Sequence, residues 1–91
     1  EDIVLADINQ TTLMIYSTEG IYTTTETLTR FQNRLNSRNF IQVSRHAVIN
    51  IDHLESLSDS FSGNMTAKLT NQLKTDVSRR YVKSLMDYLG I

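Results

Sequence analysis

Residues 40–54 read Phe40-Ile41-Gln42-Val43-Ser44-Arg45-His46-Ala47-Val48-Ile49-Asn50-Ile51-Asp52-His53-Leu54 and carry the clearest structural signal in this 91-residue chain. The segment begins with the apolar–polar alternation of a strand and becomes apolar again after the polar trio Ser44-Arg45-His46. A purely buried segment has no need of arginine at its centre. The pattern therefore predicts a short stiff element, anchored in a core at both ends, that directs Arg45 outward. Residues 48–50 are predicted to be a short helical or turn segment.

On both sides of this segment, short stretches rich in β-branched and aromatic residues alternate with polar turn formers. Before it, strands are predicted at residues 3–6, 12–18 and 21–24. After it, strands are predicted at residues 54–58, 65–69 and 72–77. Turns are predicted at residues 7–11, 19–20 and 59–64 and at Asn71.

Two stretches have the spacing of amphipathic helices. Thr25 or Thr27 can cap the first, in which Leu28, Phe31 and Leu35 recur at intervals of three and four residues. The second is predicted to follow Ser78 as N-cap and to end at Gly90. Its apolar stripe consists of Tyr81, Val82, Leu85, Tyr88 and Leu89. The chain is therefore predicted to be a mostly-β domain with two short peripheral helices, one of them C-terminal.

Length and composition limit the classes of protein to which the chain can belong. Ninety-one residues are enough for one domain with its own core. The absence of cysteine excludes disulfides and cysteine-based metal sites, and it agrees with a reducing, cytoplasmic compartment. No apolar run approaches the ~20 residues that span a bilayer, so we expect no membrane contact by this segment. Because the chain begins at Glu1 rather than methionine, we expect it to be a piece of a longer protein with a receiver, membrane or other domain upstream.

The charges are segregated along the chain, although the net charge is only −1. Residues 1–26 carry five acids and no lysine or arginine, whereas residues 27–50 carry four arginines and no acid. The last 41 residues balance five acids against five bases, with Arg79, Arg80 and Lys83 close together. Such segregation can produce a basic face on a nearly neutral protein, although a charge cluster can equally be a solvated surface.

Two motifs resemble those of one known family. The first is Phe-x-x-Val-x-Arg-x-x-x-x-Asn, from Phe40 to Asn50, and the second is Val77-Ser78-Arg79-Arg80-Tyr81. Together they resemble the LytTR DNA-binding domain, a bacterial response-regulator output domain, over nearly all 91 residues. The resemblance implies small packed β-sheets, a LytTR-like β-β-β sandwich, whose loops approach double-stranded DNA without a recognition helix. It also implies direct-repeat promoter sites occupied by two copies of the domain.

Arg45 is the strongest single candidate for DNA contact. Its guanidinium group is a rigid fork of donors that can bond two acceptors of guanine in the major groove, or a phosphate. The alternative is an ordinary surface arginine paired with Asp52 or Glu55.

Arg79 and Arg80 fall in the first turn of the predicted C-terminal helix. The helix dipole disfavours cations there, so a compensating anion is expected, either a DNA group or Asp76. The resemblance assigns base contact to Arg80, and it makes Arg79 and Lys83 phosphate neighbours. Arg38 is a further candidate for phosphate contact.

The remaining site candidates are polar loop residues. The resemblance assigns a DNA-approaching loop to residues 9–11, where Asn9 or Gln10 can bond adenine edges unless they serve only the turn. His46 can donate to phosphate. Ser44 can do so too, or can merely hold the loop. Asn50 is expected to bond backbone inside the fold.

Other functions have weaker support. His46 and His53, with Asp52 and Glu55 nearby, match no metal-ligand motif. Ser44-Arg45-His46 are consecutive and do not supply the geometry of a catalytic triad. We therefore expect no enzyme activity, no metal and no cofactor. The rival to DNA binding is a β module that binds another protein through an exposed edge.

Overall fold

The computed structural model describes residues 2–35 and 39–91. In these residues the strands are β1 Ile3–Asn9, β2 Thr12–Ser17, β3 Gly20–Thr24, β4 Phe40–Ser44, β5 Ala47–Asn50, β6 Leu54–Asp59, β7 Met65–Leu69 and β8 Lys74–Val77. The helices are α1 Leu28–Leu35 and α2 Arg79–Leu89. Single 3₁₀ turns lie at Ile51–His53, Phe61–Gly63 and Thr70–Gln72. The predicted mostly-β class with two short helices is confirmed.

The strands form two antiparallel sheets. The larger has the order β3-β2-β1-β5-β4, and the smaller is the meander β6-β7-β8. In the larger sheet β1 pairs with both β2 and β5, opposing Leu5 to Ile49. β1 also continues to Asn9, beyond the predicted strand end at residue 6. Pairing with β2 as far as Asn9, and with β5 as far as Asp7, accounts for this because it outweighs the weak strand propensity of both residues.

Residues 48–50 form a strand, so the prediction of a helical or turn segment there is wrong. All four residues of β5 are buried, and the strand lies between β1 and β4. A strand covered on both faces has a continuous apolar sequence, which removes the alternation that would identify it. The helical turn begins one residue later, at Ile51, where the Asn50 Oδ1 atom accepts the Asp52 N–H at 2.9 Å.

The larger sheet is covered on both faces. Its inner face packs on the smaller sheet and α2, in a core of Val4, Leu5, Val43, Ala47, Ile49, Ala67, Leu69, Val77 and Leu85. Its outer face packs on α1, in a core of Ala6, Leu13, Leu28, Phe31, Phe40 and Val48. Alternation along β5 sends Ala47 and Ile49 to the inner core and Val48 to the outer core. β5 therefore contributes to both cores, as do β1 and β4.

The helix ends are capped by different means. At α1 the Thr27 hydroxyl accepts the Arg30 N–H at 3.1 Å, so the cap is Thr27 rather than Thr25. α2 ends at Gly90, which adopts the left-handed conformation with φ 80°. Its N-cap is Ser78 as predicted, but the Ser78 hydroxyl makes no capping hydrogen bond. The side chain of Asn64 instead accepts the N–H of Arg79, the first residue of the helix, at 2.8 Å.

Candidate nucleic-acid interface

Two of the three predicted DNA-approaching loops lie at the same end of the larger sheet. β1 is antiparallel to β5, so the turn after Asn9 and the turn between β4 and β5 meet at one edge. The Ile8 N–H donates to the His46 carbonyl at 2.8 Å and joins the two turns directly. The antiparallel register therefore brings Gln10 and Arg45 to one edge from positions 35 residues apart in the sequence.

The start of α2 joins this edge through a second backbone hydrogen bond. The Ser78 N–H donates to the Val43 carbonyl at 2.9 Å. Arg45 and Arg80 each lie two residues from that bond. With consecutive Cα atoms 3.8 Å apart, their Cα atoms are within about 20 Å of each other. Three segments distant in sequence thus form one edge, which we call the loop edge: residues 9–11, 44–46 and 78–80.

The arginines of the loop edge are exposed and are not engaged in ion pairs. In the described residues, the guanidinium groups of Arg45, Arg79 and Arg80 make no hydrogen bond or salt bridge. The Asp52 carboxylate, one alternative partner of Arg45, instead accepts the Asn39 side-chain N–H at 2.8 Å. These arginine donors are therefore available to an anion or a base edge.

His46 is exposed and pairs with a residue of another strand. Its Nδ1 atom lies 2.8 Å from Asp7 Oδ1, and the two side chains are 54% and 34% exposed. Asp7 and His46 also line two adjoining clefts, one bounded by Asn9 and Gln10 and the other by the β8 residues 74–76. The pair thus lies where the larger sheet, the first loop and the smaller sheet meet.

Ser44 and Asn50 serve the backbone of the hairpin β4–β5. Ser44 is 2% exposed, and its hydroxyl accepts the His46 N–H at 3.3 Å. This hydrogen bond supports the alternative in which Ser44 merely holds the loop. Asn50 is fully buried, and its side chain donates to the Ile3 carbonyl at 2.8 Å. The prediction that Asn50 bonds backbone inside the fold is confirmed.

The other site candidates are at the surface. Asn9 and Gln10 are exposed, and Gln10 adopts a left-handed φ of 60° in the turn. Lys83 is exposed and pairs with Asp87 at 3.1 Å, one helical turn along α2. Such a solvated pair is worth little and is readily exchanged for another anion. Arg38 lies outside the described residues.

Two residues of the site escaped the sequence analysis. Asp7 holds His46 from 39 positions away, and Asn64 holds Arg79 from 15 positions away. Neither pair follows a helix or strand spacing. The loop at residues 59–64 was predicted correctly as a turn, but the sequence contains no signal of its contact with α2.

The two histidines do not form a common site. His53 Nδ1 lies 3.0 Å from the Thr70 hydroxyl, whereas His46 contacts Asp7. Within residues 2–35 and 39–91, no group of three or more histidine or acidic side chains has the arrangement of a metal site. In the same ranges no helix combines the length and the apolar character needed to cross a membrane.

The described residues combine two packed antiparallel sheets with exposed arginine and amide side chains on the connecting loops. The chain belongs to the LytTr DNA-binding domain family, whose profile matches residues 1–90. Family membership confirms the resemblance drawn from the two motifs. It identifies the chain as a DNA-binding domain rather than a catalytic one, and it does not favour the protein-interaction alternative.

Relatives and a solved structure agree with this membership. The chain is 32% identical over 90 residues to the sensory transduction protein LytR of Staphylococcus epidermidis, covering 99% of this chain and 36% of that protein. It is 31% identical over 91 residues to LytT of Enterococcus faecalis, covering 100% of this chain and 38% of that protein. The chain thus spans about a third of the length of these relatives. A LytTr DNA-binding domain from Bacillus cereus has the same fold, with TM-score 0.89 and 18% identity over 99% of this chain and 83% of that one.

Proposed function

We propose that this domain binds specific sequences in double-stranded DNA through the loop edge, as the output module of a bacterial transcription regulator. The observation that carries the proposal is the hydrogen bond from the Ser78 N–H to the Val43 carbonyl at 2.9 Å. It brings the loop of Arg45 beside the loop of Arg80, and both guanidinium groups are unpaired within the described residues. A duplex approaching from this side would meet both arginines.

The roles of the individual residues follow from their chemistry. Arg45 and Arg80 would each bond two acceptors of a guanine, and Asn9 or Gln10 would bond an adenine edge. Arg79, Lys83 and His46 would hold phosphates and so set the orientation of the domain on the duplex. Contacts to phosphate add affinity but carry little sequence information. Ser44 would support the loop without touching DNA.

The partners follow from the size of the domain and from its relatives. A single module of this size typically buries about 600–1,000 Å² on DNA, which supports modest affinity alone. We therefore infer that two copies bind side by side on direct repeats. The relatives are named as sensory transduction and transcriptional regulatory proteins and are about three times longer than this chain. We infer from this an upstream receiver or other regulatory domain and, because the target is chromosomal, a cytoplasmic location.

Salt dependence of duplex binding tests the proposal. Fluorescence anisotropy with a pool of random duplexes should give a log affinity that falls by about 0.9 per neutralised phosphate for each decade of salt. Arg79→Ala should reduce this slope by about 0.9, because one phosphate contact is lost. Lys68→Ala is the matched control, since Lys68 is exposed and lies three residues along β7 from Met65, which pairs with Val77 just before α2.

Two results would contradict the proposal. The first is the absence of duplex binding at low salt, and the second is an equal change of slope in the Arg79 and Lys68 variants. If the domain binds duplexes, selection of bound oligonucleotides from a random library will define the target sequence. The same selection will reveal a repeated site if two copies bind together.

A further inference from the structure

The first turn of α2 is held by the loop between β6 and β7, a segment with no assigned part in DNA binding. The Asn64 Oδ1 atom accepts the Arg79 backbone N–H at 2.8 Å. The helix's own N-cap residue, Ser78, makes no side-chain capping bond. Since the first N–H groups of a helix have no partner within it, Asn64 satisfies one of them from outside the helix.

The same loop also contacts the side chain of Arg79. A Cβ atom built on Gly63 would lie 2.8 Å from Arg79 Cδ and 3.1 Å from Arg79 Cγ. The methylene chain of Arg79 therefore passes directly over the Gly63 backbone, in space that any other residue would occupy. Gly63 also has φ 85°, a conformation that side chains other than glycine rarely adopt. The positive φ favours glycine at this position, and a side chain there would displace the side chain of Arg79.

The loop is internally braced, so these contacts come from a defined support. The Ser60 N–H donates to the Asn64 carbonyl at 2.9 Å, and the Asn64 N–H donates to the Phe61 carbonyl at 3.0 Å. These two bonds fix the backbone of Asn64 at the base of the loop. Its side chain is thereby presented to α2 in one orientation.

We propose that Asn64 and Gly63 are positioning residues for DNA binding, which rests on the proposed function of the loop edge. Asn64 fixes the backbone of Arg79, and Gly63 provides the surface along which its side chain extends toward a phosphate. Neither residue needs to touch DNA. The loop between β6 and β7 is thus a support for the loop edge, and its effect on affinity passes through Arg79.

A double-mutant cycle tests this proposal. Loss of a helix cap costs about 1 kcal/mol, so Asn64→Ala should weaken duplex binding about fivefold if the loss is fully transmitted to Arg79. It should also lower the salt slope, as Arg79→Ala does, because the misplaced guanidinium no longer neutralises a phosphate. In the Arg79→Ala background, Asn64→Ala should have less than a twofold further effect. In the Arg45→Ala background its effect should remain complete, because that arginine is held by another loop.

Controls separate positioning from a general loss of structure. Asn33→Ala removes an exposed asparagine on α1 and should leave both affinity and salt slope unchanged. Binding is measured well below the unfolding temperature of each variant, determined by circular dichroism. If Asn64→Ala does not fold, Gly63→Ala provides the same cycle while it retains the Asn64 acceptor. Hydrogen exchange of the Arg79 amide should be faster in Asn64→Ala than in the wild type, because the amide loses its acceptor.

The proposal is overturned if Asn64→Ala lowers the melting temperature but leaves the salt slope intact, or if its effect is equal in all backgrounds. Its failure is distinguishable from failure of the proposed function. Wild-type protein that binds duplexes without this coupling refutes only the positioning role. Wild-type protein that binds no duplex refutes both.

Discussion

The two faces of the larger sheet differ in what their packing achieves. The inner face packs on the smaller sheet and α2, and its core includes Val43 and Val77. These residues immediately precede the two arginine-bearing loops, so the inner core fixes those loops relative to each other. In the described residues the outer face packs on α1, in a core that includes Phe31 and Leu13. Ile8, which precedes the first loop, packs against the same core. We therefore expect the inner face to fix the two arginine-bearing loops, and the outer face mainly to add stability.

Phe31→Ala should give the largest loss of stability and leave DNA binding intact. Phe31 is 1% exposed in the outer core, and truncation of a buried phenylalanine costs about 3–5 kcal/mol of unfolding free energy. Urea denaturation measures this loss. At temperatures where the variant remains folded, its duplex Kd should stay within twofold of the wild type. A large change in Kd would show that the outer face also positions the loops.

Leu85→Ala is the corresponding change on the inner face. Leu85 is fully buried on α2, and the expected loss is about 2–5 kcal/mol of unfolding free energy. Because α2 can shift when its anchor is shortened, duplex binding should also weaken by more than twofold in the folded variant. Anisotropy titration at one salt concentration compares the duplex Kd values of the Leu85→Ala and Phe31→Ala variants. Equal Kd values for the Leu85 and Phe31 variants would remove the distinction between the faces.

Arg80→Ala and Arg45→Ala should weaken DNA binding and leave stability nearly unchanged, which is the opposite of the effect expected for Phe31→Ala. Each should weaken binding to the selected duplex by about 1–3 kcal/mol if the arginine bonds two acceptors of one base. Stability should change by less than about 0.5 kcal/mol, because both side chains are exposed and unpaired in the described part of the chain. The same titration with Lys68→Ala serves as the reference. A loss below twofold for both arginine variants would count against their assignment to bases.

The smallest effect is expected from the ion pair that ties α1 to the segment before it. The Arg34 guanidinium donates to Glu26 at 2.7 and 3.0 Å, and this hydrogen bonding holds the pKa of Glu26 below its ordinary value of 4.5. A lowered pKa in the folded state means that the contribution is present above the unfolded pKa. It is lost as the pH falls through the folded value. Glu26→Gln should therefore lower Tm slightly at pH 7, and the difference from the wild type should vanish in acid.

The exposed ion pair between Arg34 and Glu26 is expected to add little to the stability of the fold. The Arg34 side chain is 61% exposed, so solvent screens its interaction with Glu26. DNA binding should not respond to Glu26→Gln, since α1 lies on the outer face. A Tm difference that persisted in acid would mean that Glu26 acts through packing rather than charge.

Local patterns in the sequence predicted much of the fold. The first helix was predicted to begin at Thr25 or Thr27 and the second after Ser78, and the helices begin after Thr27 and Ser78. The polar trio after Val43 identified the turn that exposes Arg45. The prediction failed at residues 48–50 because β5 is covered on both faces, and a continuous apolar sequence does not distinguish such a strand from a buried turn.

The candidate site was only partly accessible to sequence reasoning. The arginines were found through their motifs, but the partners that hold the site in place lie far away in the sequence. Asn64 caps a helix that begins 15 residues later, and Asp7 pairs with a histidine 39 residues later. Such contacts depend on how the two sheets pack, which no local spacing encodes.

If the loop edge binds DNA as proposed, the two backbone bonds that assemble it make DNA binding depend on folding. Because they join residues 8 to 46 and 43 to 78, the edge exists only when nearly the whole chain is in place. A duplex therefore binds the native state and has no comparable target on an unfolded chain. By mass action, duplex at one hundred times Kd should add about 2.7 kcal/mol to the apparent free energy of unfolding. The target DNA thus stabilises the folded state of the domain that binds it.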